Sequence, residues 1–324
     1  MGVSIVKFKQ ASRDESRWGV LRDSNIFPVE TEMMSHQQLM KCFFEHREDF
    51  NSAVSSDSLT SSEVTFLSPI SRDVQLFCQG LNYGSHREEG GLEEDAKGEN
   101  LIFTKAPSSI CGPNDDIIRP KDCQLLDYEI ELALVLKHGV NEASQISEDQ
   151  LPDLIGGLVL ANDVSSRDHQ FGATAMQWFK GKSFRTFCPM GPVLYLLEKE
   201  DFAQLYQLQL TLKVNGEVKQ SATTEQLIHK PAATISEISN FADLNVGDCI
   251  LTGTPGGVLL NINLKTALGI MLNLKKDAKR REKVTAAQLA QTKFLQPNDL
   301  LELEIKSIDG SICLGKQNNK ITTI

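Results

Sequence analysis

Acidic and apolar residues alternate through Asp127-Tyr128-Glu129-Ile130-Glu131-Leu132 inside an apolar segment, and a second apolar run ends in Asp163. In a strand, alternate side chains share a face, so Glu129 and Glu131 point one way while Ile130 and Leu132 point the other. Two like charges on one buried face repel, and each carboxylate also loses its hydration. A hard divalent cation held by oxygens relieves both and brings chemistry with it. The alternative is an exposed strand edge with solvated acids. The metal reading fails if Glu129, Glu131 and Asp163 face apart, or if each is already neutralised by its own arginine or lysine.

The chain's 324 residues are 40% hydrophobic, enough for a sizeable core and for about two domains. A formal net charge of -10 argues against an electrostatic grip on nucleic acid or on an anionic membrane, so an anionic ligand needs a local basic pocket. The cysteines at 42, 78, 111, 123, 188, 249 and 313 are odd in number and never form a C-x-x-C pair. That pattern indicates neither a disulfide framework nor a zinc site, and favours a reducing cytoplasm. Met1 to Gln10 holds no apolar core long enough for a signal peptide, and no segment approaches about 18 uninterrupted apolar residues.

Residues 1–70 read as a small α+β unit. Val3 to Phe8 and Trp18 to Val29 have strand character, and His36 to Phe50 carries Leu39, Phe43 and Phe50 at roughly helical spacing. A Ser-rich stretch, Asn51 to Ser62, marks a domain boundary or a long surface loop. Residues 71–324 then show many short β-type runs, among them Leu101-Thr104, Asp127-Leu136, Leu208-Val214 and Leu300-Ile308. This spacing predicts a β-rich α+β domain with interspersed helices and excludes a doubly wound sheet. Asn215-Gly216 and Asp309-Gly310 both read as two-residue hairpin turns of the primed type. The basic segment inside 259–296, with Lys279, Arg280, Arg281 and Lys283, reads as partly helical with a solvated face.

Three further constellations carry chemistry. Gly84 to Glu89 starts a polar helical turn after a strand, which brings His86 and Glu89 onto one face; a carboxylate beside an imidazole orients it and raises its basicity, as a general base requires. Gly90, Gly91 and the charged stretch from Glu93 to Asn100 suggest a mobile lid or simply a floppy loop. Arg167, Gln170 and Lys182 follow Asp163 and offer two cations and an amide near the proposed metal, donors suited to a carboxylate and a developing oxyanion. Gly181-Lys182-Ser183 is no phosphate loop, because Met176 stands where the motif's first glycine is needed. Thr252-Gly253-Thr254-Pro255-Gly256-Gly257 ends a strand in a turn whose amides and Thr254 hydroxyl can meet a ligand, or which is a plain tight turn.

In order along the chain, Gly80-Leu81-Asn82-Tyr83 with His86 and Glu89, Phe103 to Ser109, Asp127 to Leu132, Asn162 to Gln170, Gly181 to Phe184, Val246-Gly247-Asp248 and Gly253 to Val258 together resemble the fumarylacetoacetate hydrolase family. The resemblance runs from about Val74 to Val258 and resumes at Pro297-Asn298-Asp299. It implies a mixed β-sandwich roll and a homodimer. It further implies Mg2+, or Mn2+ or Ca2+, held by Glu129, Glu131 and Asp163, a water-activating dyad of His86 and Glu89 on a lid, Lys182 and Gln170 polarising the substrate, and Tyr83, Arg167, Gly253 and Thr254 lining its site.

The implied reaction is metal-dependent hydrolysis of a carbon-carbon bond in a small anionic 2-oxo acid or 1,3-dicarbonyl, with isomerisation or decarboxylation of related acids as the alternative on the same site. A non-catalytic small-acid binding protein is the alternative of another class, and the complete set of site residues speaks against it. Three departures from the family pattern stand out, the first being that the lid lacks the prolines typical between the dyad and Phe103. Arg185 replaces the usual acid after Lys-x-Phe, for a second substrate carboxylate or for pairing with Asp168, and the stretch 259–296 is longer than the usual connection.

Overall fold

The strand Ile130–Leu136 lies fully buried near the middle of the large sheet, and its alternation sorts the protein into layers. Ile130, Leu132, Leu134 and Leu136 enter one hydrophobic cluster, together with Leu208, Leu210, Leu301 and Leu303 of a second sheet. Ala133 and Val135 enter another, which includes Leu39, Met40 and Phe43 of the helix His36–Glu45. A sandwich follows: the large sheet has the second sheet on one face and the N-terminal helices on the other. The computed structural model describes residues 1–13, 15–30, 35–89, 98–172, 175–261 and 277–323.

The large sheet runs in the order Leu59–Thr60, Asn25–Val29, Ser16–Arg22, Val3–Gln10, Cys188–Leu196, Ile155–Asn162, Ile130–Leu136, Cys249–Leu251, Leu76–Gly80 and Leu101–Lys105. Its pairing is mixed: Ile130–Leu136 is antiparallel to both neighbours, whereas Cys249–Leu251 and Leu76–Gly80 run parallel. The second sheet orders Glu217–Thr223, Leu208–Val214, Leu300–Ser307, Cys313–Thr323 and Ile117–Arg119. The β-rich α+β class expected from the strand pattern, and the β-sandwich implied by the family resemblance, are therefore the fold. The division at residue 70 stays a proposal, and the sheet itself runs across it, because Val3–Gln10 pairs with Cys188–Leu196.

Local chemistry explains the element ends. Ser35 caps the helix His36–Glu45 in a reciprocal capping box with Gln38. The Ser-rich stretch starts in the end of the helix Arg47–Ala53, bridges to Val29 through Val54, and supplies an edge strand, Leu59–Thr60, paired with Asn25 and Ile26. Asn215 and Gly216 take φ of 52° and 84°, the primed two-residue turn expected of them. The second hairpin differs: Gly310 has φ of 76° but Asp309 is not left-handed, and Lys306 pairs with Cys313 across a longer loop. There the Asp309 carboxylate accepts from Ser307 Oγ, Ser311 N and Ser311 Oγ, and side-chain bonding takes the place of the primed backbone.

Candidate active site

Antiparallel register brings the acids together. Ile130 pairs with Asn162, so the residues just beyond the pair, Glu129 and Asp163, face each other, and Asp163 N–H donates to the Glu129 carbonyl at 2.8 Å. Glu131 lies inside the strand Ile130–Leu136, two residues beyond Glu129, which immediately precedes that strand, and their carboxylates come together. Oxygens of Glu129, Glu131 and Asp163 all lie within 4.8 Å of one another, and all three residues are buried. The strand-edge alternative with solvated acids is excluded by that burial.

Cations reach two of the three. Lys182 Nζ donates to Glu129 Oε2 at 2.7 Å and to Asp163 Oδ2 at 2.5 Å, and Lys105 Nζ donates to Asp163 Oδ1 at 2.5 Å. Arg167 bridges Glu129 and the buried Asp127, with Nε 2.9 Å from Asp127 Oδ2. Glu131 has no cation among the described residues: Gly253 N–H donates to its Oε2 at 2.7 Å, and its buried Oε1 has no hydrogen-bond partner. Burial pushes the Glu131 carboxyl well above the usual range, and the charges of Asp163 and Glu129 push the same way. Burial also acts to raise Glu129, but Arg167 and Lys182 outweigh it and hold that carboxyl below the usual range. Four carboxylates thus face three cations, with an orphaned oxygen at Glu131. An oxygen-only set of this kind fits a hard divalent cation.

The dyad sits on the short helix Gly84–Glu89, where His86 Nδ1 lies 3.2 Å from Glu89 Oε2. Glu89 does more than orient the imidazole. Its Oε1 accepts from Gly257 N–H at 2.7 Å, and Ser85 Oγ accepts from Gly256 N–H at 3.0 Å, so the helix docks on the glycine turn. The chain enters that helix through Leu81, left-handed at φ 54°, and is secured by buried Asn82, whose amide donates to the carbonyls of Thr252 and His229. Gly253 must be glycine: at φ 90° a Cβ would stand 2.8 Å from Asn82 Cβ. Gln220 completes the turn by donating to Thr254 Oγ1 and the Pro255 carbonyl, each at 2.8 Å.

Beside these groups lies a cavity of about 180 Å³, the volume of about six waters, and of the three acids Glu129 lines it while Glu131 and Asp163 stand behind. His86, Glu89, Glu129, Arg167, Gln170 and Lys182 supply polar lining, together with Thr254. Leu81, Phe171, Met176, Trp178 and Leu260 supply apolar lining. Gln170 is set by Arg167, whose Nη1 donates to its Oε1 at 3.1 Å.

Three expectations need correction. Tyr83 does not line the cavity: its backbone bridges to Leu227 and its fully buried ring packs with Leu227 and Ala222. Gly253 likewise stands behind the lining, where its amide holds Glu131. Arg185 is exposed and does not pair with Asp168, whose cation is Arg281, 3.2 Å away on the helix Asp277–Leu289. That helix is also less solvated than its charges suggest, because Arg280, Val284, Thr285 and Gln288 are buried. The lid expected at Gly90 and Gly91 falls largely outside the described residues, as does the first part of the basic segment. Lys105, Asp127, Ser85, Gln220, Trp178 and Leu260 were not anticipated, since each acts through a partner distant in sequence. A lysine or aspartate inside an apolar run was the one available signal for Lys105 and Asp127.

Residues 75–322 match the family model described as fumarylacetoacetate (FAA) hydrolase C-terminal. The chain is 42% identical over 201 residues to the oxaloacetate tautomerase FAHD2A, mitochondrial, of Bos taurus, a match covering 62% of each chain. It therefore spans about three fifths of that relative's length. With the oxaloacetate tautomerase fahd2, mitochondrial, of Xenopus laevis it shares 36% identity over 267 residues, covering 80% of this chain and 81% of that one. The structure of a fumarylacetoacetate hydrolase from psychrophilic Exiguobacterium antarcticum matches at a TM-score of 0.75 and 27% identity, covering 99% of this chain and 100% of that one. No helix among the described residues is long and apolar enough to cross a membrane.

Proposed function

The chain belongs to the fumarylacetoacetate hydrolase family of enzymes, and from that premise we propose that it exchanges the keto and enol forms of a small 2-oxo dicarboxylate of the oxaloacetate type. One observation carries the reading: a single oriented base, His86 on Glu89, lines the same small cavity as Lys182, Arg167 and Gln170. Keto–enol exchange needs one proton taken from carbon and returned, with a stabilised oxygen meanwhile, and consumes no water. The printed names of the bovine and Xenopus relatives support this substrate class.

With Nδ1 engaged by Glu89, the other ring nitrogen of His86 takes the proton from the substrate carbon next to the ketone, and the electron pair moves onto the ketone oxygen. Lys182 has three ammonium hydrogens and spends two on Glu129 and Asp163, so the third can donate to that oxygen. Burial works against the Lys182 charge, yet Asp163 and Glu129 outweigh it and keep the ammonium protonated. Gln170 and Arg167 orient the carboxylates. Glu129, Glu131 and Asp163 would hold a divalent cation, Mg2+ or else Mn2+ or Ca2+, which when bound would supply further positive charge to stabilise an oxyanion.

Hydrolysis of an acylpyruvate or fumarylacetoacetate is the second reading, favoured by the same dyad, which suits deprotonation of water. Decarboxylation shares the same enolate chemistry. Family membership extends the proposal to a homodimer, and the relatives' names together with seven free cysteines extend it to a reducing compartment, mitochondrial or cytoplasmic.

In deuterated water with Mg2+, the protein should accelerate exchange of the oxaloacetate methylene protons and leave acetylpyruvate uncleaved. His86→Ala should slow the exchange by about 100-fold or more, and EDTA should abolish it. Cleavage of acetylpyruvate at a comparable rate would move the assignment to the hydrolase. Exchange no faster than in buffer, with no cleavage, would sink both.

A further inference from the structure

We propose that Leu260 is a specificity-determining residue that limits the length of the acid the cavity accepts, a proposal that rests on the 2-oxo acid reading of that cavity. Leu260 lines the cavity at the start of the stretch 259–296. Its backbone is tightly held: the N–H groups of Leu259 and Leu260 donate to the two oxygens of buried Asp127 at 3.0 and 3.1 Å. The same carboxylate takes Arg167 Nε at 2.9 Å, so the wall is tied to a residue of the polar lining. Moving Leu260 outward would strip donors from a buried charge, which is costly.

The side chain is equally confined. Leu260 packs in a small core with Leu125, Phe171, Val284 and Phe294, and Val284 comes from the helix Asp277–Leu289. That helix braces the wall from behind. A four-carbon diacid can keep both carboxylates among Lys182, Arg167 and Gln170, whereas a longer acyl tail enters the apolar part of the cavity, whose walls include Leu260 and Phe171. Each methylene accommodated or refused by an apolar pocket changes selectivity by about 10- to 200-fold.

The test compares wild type, Leu260→Ala, the milder Leu260→Val and Val284→Ala, all as the full chain loaded with Mg2+. Val284 belongs to the same core but does not line the cavity. The ligands are oxaloacetate, acetylpyruvate and hexanoylpyruvate. Both turnover, read as keto–enol exchange in deuterated water, and thermal-shift affinity are measured. Leu260→Ala should raise the ratio of kcat/KM for hexanoylpyruvate to that for oxaloacetate by about tenfold or more, Leu260→Val by less, and Val284→Ala, which removes only the brace behind the wall, should lower Tm and move the ratio by less than Leu260→Ala does. An unchanged ratio in both Leu260 variants, or an equal shift in Val284→Ala, overturns the proposal. If wild type turns over none of the three acids, the functional reading fails on its own, and the affinity ratio in the same variants still decides the role of Leu260.

Discussion

Glu131 is the residue on which the metal reading turns. Glu129 and Asp163 have lysine or arginine partners, and alone would be structural ion pairs of a buried strand end. Glu131 has one amide donor and one bare oxygen in a fully buried position. Leaving a charge in that state is expensive unless a cation shares it. Glu131→Gln should keep the shape and the Gly253 contact while removing the charge. Calorimetry with Mg2+ should then show a loss of affinity at least as large as the roughly 10- to 100-fold that removal of an outer partner costs, and the metal-free variant should melt no lower than wild type, because a neutral amide in that buried position needs neither a bound proton nor a cation. Wild-type affinity in that variant would remove the three acids from consideration as the metal site.

The short helix Arg167–Phe171 could not persist alone, since one turn of helix is unstable in water. It carries Arg167 and Gln170, so what holds it holds part of the site. Asp168 is its anchor, accepting from Gln124 N–H at 2.9 Å, Ser166 Oγ at 2.7 Å and Arg281 Nη2 at 3.2 Å. Burial would raise the Asp168 carboxyl, and His169 beside it, with the hydrogen bonds from Gln124 N–H and Ser166, holds it well below the usual range instead. Arg281 also donates to the Asp122 carbonyl, which ties the helix Asp277–Leu289 to both segments. Because the Arg281 side chain is one-third exposed, Arg281→Ala should cost no more than about 1 kcal/mol of stability in denaturant unfolding. The KM for a 2-oxo acid should nevertheless rise while kcat stays in place, the split that marks a positioning residue. An unchanged KM would show that Gln124 and Ser166 suffice as anchors.

Across the whole molecule, the N-terminal unit is joined to the rest through a buried imidazole. His36 begins the first helix and lies between Gly247 and Ser71: Nε2 is 2.9 Å from the Gly247 carbonyl, and Nδ1 accepts from Ser71 N–H at 3.2 Å. That arrangement requires the neutral ring with its proton on Nε2. Burial pushes the His36 pKa down to about 4, against the Gly247 carbonyl and Asp73, which pull it up. Between about pH 4 and pH 6.5 the unfolded chain therefore binds a proton that the folded chain refuses. Stability should be unaffected by this group above pH 6.5, fall as the pH drops through that window by on the order of 3 kcal/mol in total, and level off below it. His36→Gln should be less stable than wild type at pH 7, and the gap measured by denaturant unfolding should narrow toward pH 5. A gap independent of pH would mean that His36 does not carry the proton linkage.

Local periodicity determined what a neighbour-to-neighbour rule can determine. Alternation put Glu129 and Glu131 on one face of a strand, three-residue spacing brought His86 to Glu89, Asn215-Gly216 specified its turn, and the ordered motifs named the family. Tertiary structure alone decided which side chains complete the site. Lys105 meets Asp163, Gln220 meets Thr254, Arg281 meets Asp168 and Leu260 meets Phe171 across separations of 34 to 113 residues. Tyr83 illustrates the limit from the other side: it sits in the right motif, yet packing turns its ring into the core. The reason is physical. A side chain's face follows from backbone dihedrals that the residue and its neighbours set, whereas its partner follows from the register and stacking of whole sheets, settled by burial summed over the entire chain.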